Sequence, residues 1–225
     1  MKNRILLLLY LIMCLGFTSC DLYEIDNQEI PNVPIKGVLT YKGNPVPTKN
    51  GITPFAFYQD EYPLNGSFSL YTSQEGSVAG LIFDGTYQVK FVNGQGAFES
   101  EELEREIIVQ GATDFKWEVI PFFWINSVDY RTQGRKVEAD VDISKICDSK
   151  ELEYVSLLFA SSIICDRVNV EQEIRILSSD IQNLSNIHFD VDLSSWSKDY
   201  CYVRVGVKSE GNTYYNYSEV EKIEF

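Results

Sequence analysis

Val137-Glu138-Ala139-Asp140-Val141-Asp142-Ile143 is the stretch that decides the fold class. Apolar and acidic residues alternate without a break. Successive side chains of a strand point to opposite faces, so a period of two puts four apolar residues on a core and three carboxylates in water. Ile187, Phe189, Val191 and Leu193 repeat the pattern against His188, Asp190 and Asp192. Val155 to Ile164 is a longer apolar run, which suits a central strand covered on both faces. Tyr200 to Lys208, the turn Glu210-Gly211-Asn212, and Thr213 to Phe225 read as a closing hairpin, and Ser178-Ser179-Asp180 as a cap for one helical turn before Ile187.

Short runs and turn signals alternate N-terminally as well, at the spacing of β-sandwiches. Ile35–Tyr41, Ile52–Tyr58, Ser67–Tyr71, Ser77–Phe83 and Thr86–Val92 read as strands, with turns at Lys42-Gly43-Asn44-Pro45 and Asn65-Gly66. Asp84-Gly85 is a hairpin signal. After an acidic loop (Glu99 to Glu106), Ile107–Val109 and Phe115–Val119 complete the unit. Pro121 falls where one strand pattern stops and another starts. The expectation is all-β: one sandwich over residues 35–120 and a second over 121–225.

The first residues are of another kind. Lys2 and Arg4 precede an apolar run from Ile5 to Gly16, closed by Phe17-Thr18-Ser19-Cys20. A basic start, a short apolar stretch and small residues before a cleavage point describe a secretory signal over residues 1–19. The run is shorter than the roughly 20 residues that span a bilayer as a helix. With Ser19 before Cys20, the segment resembles the lipobox of bacterial lipoproteins, which implies that Cys20 carries the lipid and becomes the mature N-terminus; Phe17 departs from the usual leucine. Residues 20–34 form an acidic tether (Asp21, Glu24, Asp26, Glu29) that resembles the export signal of surface lipoproteins of glycan-degrading Gram-negative anaerobes. The resemblance implies an outer-membrane, lipid-anchored protein facing the cell exterior; the tether also reads as a plain spacer.

Cleavage leaves 17 Lys and Arg against 33 Asp and Glu, a net charge of −16. Phosphate backbones are bound through Lys and Arg, so nucleic acid is excluded as a partner and polyanionic glycans are disfavoured, whereas neutral glycans are not. Cys147, Cys165 and Cys201 remain, an odd number that gives no full disulfide framework. Cys201 shares the parity of Val203, Val205 and Val207 and is expected in a core; a Cys165–Cys201 pair is the one bridge to consider.

Two sets of residues carry a family resemblance. Ile35-Lys36-Gly37-Val38, Gly43-Asn44-Pro45-Val46 and Phe83-Asp84-Gly85-Thr86-Tyr87 resemble carboxypeptidase-regulatory-like (transthyretin-like) sandwiches. Leu152-Glu153-Tyr154-Val155, Asp166-Arg167, Tyr202 to Lys208, Tyr217-Ser218 and Lys222 to Phe225 follow. In that order they resemble a two-domain lipoprotein family of unknown function, encoded beside starch-utilisation-like (Sus-type) glycan-uptake transporters. The resemblance implies a transthyretin-like sandwich followed by an immunoglobulin-like one, with outer-membrane transporter components as partners. It brings no catalytic residue.

Nor do the residues themselves assemble one. His188, the single histidine, lies on the polar face of its strand beside acids, whereas nucleophilic catalysis needs an imidazole against a nucleophile with a third group orienting it. No finger-like ligand spacing and no phosphate cradle occur, so no cofactor is expected. Two Asp-x-Asp repeats, Asp140/Asp142 and Asp190/Asp192, would confront four carboxylates if their strands were neighbours; calcium, which takes six to eight oxygens, would then suit them. If the strands lie apart, the acids simply face water. Sugars bind on aromatic faces, and the platform candidates are Tyr58 and Tyr62, Tyr214 and Tyr215, and Trp196, the first to mutate. Phe115, Trp117 and the strand entry Phe122-Phe123-Trp124 read as core. The expected function is a non-catalytic surface lipoprotein assisting glycan capture or uptake. The alternatives are an accessory subunit docking on a transporter without touching sugar, and a hydrolase using two carboxylates.

Overall fold

The computed structural model describes residues 30–59 and 66–225; Cys20, the leader, most of the tether, Tyr62 and Asn65 lie outside the described residues. Asn32–Phe225 is one compact unit, and its described residues form strands and a single 3-10 turn at Ser178–Asp180.

The first half contributes β1 (Val33–Tyr41), β2 (Asn44–Pro45), β3 (Phe55–Tyr58), β4 (Ser67–Phe68), β5 (Ser77–Ile82), β6 (Gly85–Phe91), β7 (Phe98–Glu99), β8 (Glu104–Val109) and β9 (Thr113–Glu118). β1 is central to one sheet, antiparallel to β5 and parallel to β9; the facing sheet runs β4-β3-β6-β8. Alternation on β9 sends Phe115 and Trp117 inward, where Trp117 is fully buried among Leu39, Phe55 and Val89. A buried indole N–H needs an acceptor, and Ser100 Oγ supplies it at 3.0 Å.

The second half follows as β10 (Ile120–Pro121), β11 (Phe123–Gln133), β12 (Lys136–Lys145), β13 (Leu152–Ala160), β14 (Gln172–Leu177), β15 (Ile187–Asp192), β16 (Tyr200–Ser209), β17 (Tyr215–Tyr217) and β18 (Glu221–Glu224). A β11-β12-β15 sheet faces a β14-β13-β16 sheet, whose last strand also pairs β17 and β18. Val137, Ala139, Val141 and Ile143 lie in the core between them, opposite Val155, Leu157 and Phe159. The fold is therefore all-β, two sandwiches, as the alternation implies.

Three local readings change. Asp84-Gly85 does not close a hairpin, because β5 and β6 belong to different sheets. The chain crosses from one to the other there; Gly85 has φ 137°, and a Cβ on it would stand 2.4 Å from Gln59 Nε2. The apolar run from Val155 ends as strand at Ala160, since Ser161 N–H and hydroxyl both turn aside to Glu171 Oε1. Ile163 and Ile164 then sit exposed on the loop beyond. Thr213–Phe225 splits in two at Ser218, whose carbonyl accepts from Arg204 Nε and whose hydroxyl accepts from Val205 N–H.

The cysteines separate for a topological reason. Cys201 faces the core between the sheets, whereas Cys165 joins Tyr154, Leu158 and Tyr217 in a second cluster on the outer face of the β13-β16 sheet. The bridge considered from sequence does not form; all three thiols are free. Burial pushes Cys165 up to about 12 and Cys201 up to about 11, and the thiolate is the reactive form. Native residues 21–225 should therefore give one fast thiol towards an aromatic disulfide reagent, from half-exposed Cys147, and two more only on denaturation. Three fast thiols would contradict this packing.

Candidate functional site

The platform residues named from sequence do not converge. Tyr58 is exposed on β3 under Lys90 Nζ, 5.2 Å from its ring. Trp196 is half-buried against the second core, and its indole N–H donates to Tyr200 O at 2.9 Å. Tyr214 is a half-buried wedge that packs on both cores. Tyr215 is a correction: only 3% exposed, it stacks on Tyr217 and shares a hydroxyl–hydroxyl bond with Tyr154, so it offers no free face. A buried phenol keeps its partner, and the hairpin strand turns this ring onto the sheet.

The Asp-x-Asp strands are indeed neighbours, but their register does not confront the four acids. Asp140 lies opposite His188, Glu138 opposite Asp190 and Lys136 opposite Asp192. His188 Nδ1 donates to Asp140 Oδ1 at 2.6 Å, Arg131 also binds Asp140, and Lys136 holds Asp190 at 2.9 Å. Those partners, His188 first and then Arg131, hold the Asp140 carboxyl below the usual range. Asp142 accepts from Asn126 and Asp192 from Ser194. With Asp140 and Asp190 paired to cations and Asp142 and Asp192 hydrogen-bonded apart from them, there is no four-carboxylate repulsion for calcium to relieve, and among the described residues no three metal-ligating side chains gather.

The concavity lies elsewhere, between the sandwiches. Strand β11 from Phe123 to Tyr130 forms one wall, Asn216–Glu221 another, and Asn44–Pro47 of the first sandwich completes a cleft of 690 Å³. That volume is in the range of small-ligand sites. Trp124 lines it from β11. Strand parity sends Phe123 into its own core and turns Trp124 outward, onto the first sandwich, where its ring lies 5.3 Å from Tyr41 at 54°. The same cleft is lined by Asn44, Asn126, Asn216 and Ser127, with exposed Glu219 and Glu221. The cleft offers a half-buried indole for the apolar face of a ligand and Asn44, Ser127 and the two carboxylates for its hydroxyl groups, while Asn126 and Asn216 spend their amide N–H groups within the fold. Sequence reading assigned Trp124 to the core with its two neighbours; the parity against Phe123 was the signal that it points the other way.

Two polar clamps fix the cleft. Arg204, fully buried, donates from Nη1 to Thr48 O (3.0 Å) and Cys165 O (3.2 Å), from Nη2 to Gln74 O (2.9 Å) and from Nε to Ser218 O (2.7 Å). Its guanidinium also lies 4.3 Å from the centre of the Tyr217 ring. Burial pushes it down to about 10, so it is charged at neutral pH. Asn216 donates to Ala97 O at 2.8 Å and accepts from Phe123 N–H at 3.0 Å. Both reach from the second sandwich to residues of the first half, so the cleft is a fixed shape.

Residues 33–120 match the model of the N-terminal domain of a protein family of unknown function, DUF3823, and residues 123–222 match the model of its C-terminal domain. Among solved structures, a DUF3823 family protein from Bacteroides ovatus is 27% identical with a TM-score of 0.78, over 86% of this chain and 99% of that chain. One from Parabacteroides merdae is 24% identical with a TM-score of 0.78, over 87% and 100%. A Bacteroides uniformis protein provisionally described as carbohydrate binding is 19% identical with a TM-score of 0.70, over 87% and 100%. No curated protein matches the chain.

Proposed function

This chain belongs to the DUF3823 family, and from that premise we propose that it is a non-catalytic, lipid-anchored surface protein that holds glycan in the cleft between its sandwiches. On this reading it assists glycan capture or uptake by a Sus-type outer-membrane system, with transporter components as its neighbours. The observation that carries the reading is Trp124, turned out of its own core into a fixed cleft lined by amides. The Bacteroides uniformis protein shares the fold, and what it binds is a property of that protein; the case for this chain is the cleft. The leader and Cys20 support the anchor. His188, engaged by Asp140 on an exposed strand face, supports a binding role over nucleophilic catalysis.

Native electrophoresis of residues 21–225 through gels containing neutral polysaccharides tests it. One gel should retard the protein. Stacking on an aromatic face contributes about 1–3 kcal/mol to other π-face ligands, so Trp124→Ala should weaken that retardation by ~10-fold or more. Trp124→Phe should keep part of it, and Trp196→Ala should leave it intact. Retardation in no gel would favour the transporter accessory, and new reducing ends on incubation would favour the hydrolase.

A further inference from the structure

Resting on the glycan reading of the cleft, we infer that the site takes uncharged sugar and rejects sugars bearing carboxylate or sulfate. Among the described residues the lining contains two acids, Glu219 and Glu221, and no lysine, arginine or histidine. Neither acid takes part in an ion pair among the described residues, whereas fourteen other pairs occur. Cations near the cleft in sequence are committed elsewhere: Arg131 to Asp129, Glu138 and Asp140, and Lys49 to Asn50 O. Arg204 lies buried against Tyr217 with its N–H groups on four carbonyls. Lys222 pairs with Glu224 at 2.6 Å. Lys42 sits over Tyr41, 5.0 Å from its centroid, and does not line the cleft.

Ionised carboxylates only accept hydrogen bonds. A sugar hydroxyl can donate to them, and such charge-assisted bonds are the stronger kind. A uronate or sulfate brings the same sign of charge and no proton. Its repulsion is felt over the Debye length, about 10 Å at 0.1 M salt. The rejection therefore weakens as salt is added. The net charge of −16 on residues 21–225 acts in the same direction over the whole protein, so the local contribution is read from the two glutamates.

Residues 21–225 should be titrated at low and high salt with matched polymers: hydroxyethyl- and carboxymethylcellulose, dextran and dextran sulfate, galactan and polygalacturonate. A neutral polymer should bind while its anionic partner binds at least ~10-fold more weakly at low salt. Glu219→Gln with Glu221→Gln should close most of that gap. An anionic polymer that binds as well as its neutral partner, or a gap untouched by the two substitutions, would overturn the inference and leave the glycan site standing. Failure of all six polymers to bind would remove the glycan reading and the inference with it.

Discussion

Arg204→Met should cost about 3–5 kcal/mol of stability, the size associated with breaking a buried charged network. The side chain is fully buried, and its positive charge is held by carbonyl dipoles. Nearby buried Asp166 turns Oδ1 to Val168 N–H and Asn169. Methionine fills much of the volume and supplies no donor, so Thr48, Cys165 and Ser218 would keep buried carbonyls short of a partner; Gln74 O retains the Thr48 N–H. Each such orphan costs about 1–3 kcal/mol. For a chain of this size the melting temperature should fall by roughly 10 °C or more. Lysine should not rescue it, because one ammonium cannot reach four separated carbonyls as a planar guanidinium does. A melting temperature within two or three degrees of the parent would show that the contact contributes little.

Asn216→Ala should cost less stability and more function. It is 5% exposed, and its loss strands Phe123 N–H, whereas Ala97 O keeps the Phe122 N–H at 3.0 Å, about 1–3 kcal/mol for one buried orphan. Phe123 begins the wall that presents Trp124, so glycan retardation should fall together with the melting temperature. Asn216→Asp keeps the acceptor for Phe123 and turns the donor towards Ala97 into an anion, so it should not restore either. Asn212→Ala, which removes a long 3.5 Å contact to Gly96 O and a part-buried turn bond from Tyr214 N–H at 3.1 Å, leaves Phe123 N–H paired and should keep the retardation. Full retardation by a destabilised Asn216→Ala protein would separate the clamp from the site.

These two residues mark the limit of what the chain discloses before it is folded. Alternation at Val137–Ile143 and Ile187–Leu193 places core and solvent faces correctly because a strand face is a local property. What joins the sandwiches is not local. Arg204 stands in an apolar run, Cys201 to Val207, where parity marks it as facing away from the core; that this face is covered by Thr48 and Gln74, more than a hundred residues away, has no periodicity to reveal it. The Asp-x-Asp strands show the same limit, since their adjacency was foreseeable as a condition but their register was not. The registry of β12 on β15 sets Asp140 against His188 and removes the case for calcium. Trp124 was more legible than it was read: beside inward-facing Phe123 it had to face outward, and only the first sandwich could partly cover it.

The central claim is that glycan sits between two clamped sandwiches. Hydrogen exchange of residues 21–225, with and without the polysaccharide that retards it, tests that most directly. Slowed exchange at residues 44–47, 121–130 and 216–221 is the predicted footprint, absent in Trp124→Ala. Protection centred on the Trp196 loop or the Tyr58 strand, with those three segments unchanged, would contradict it.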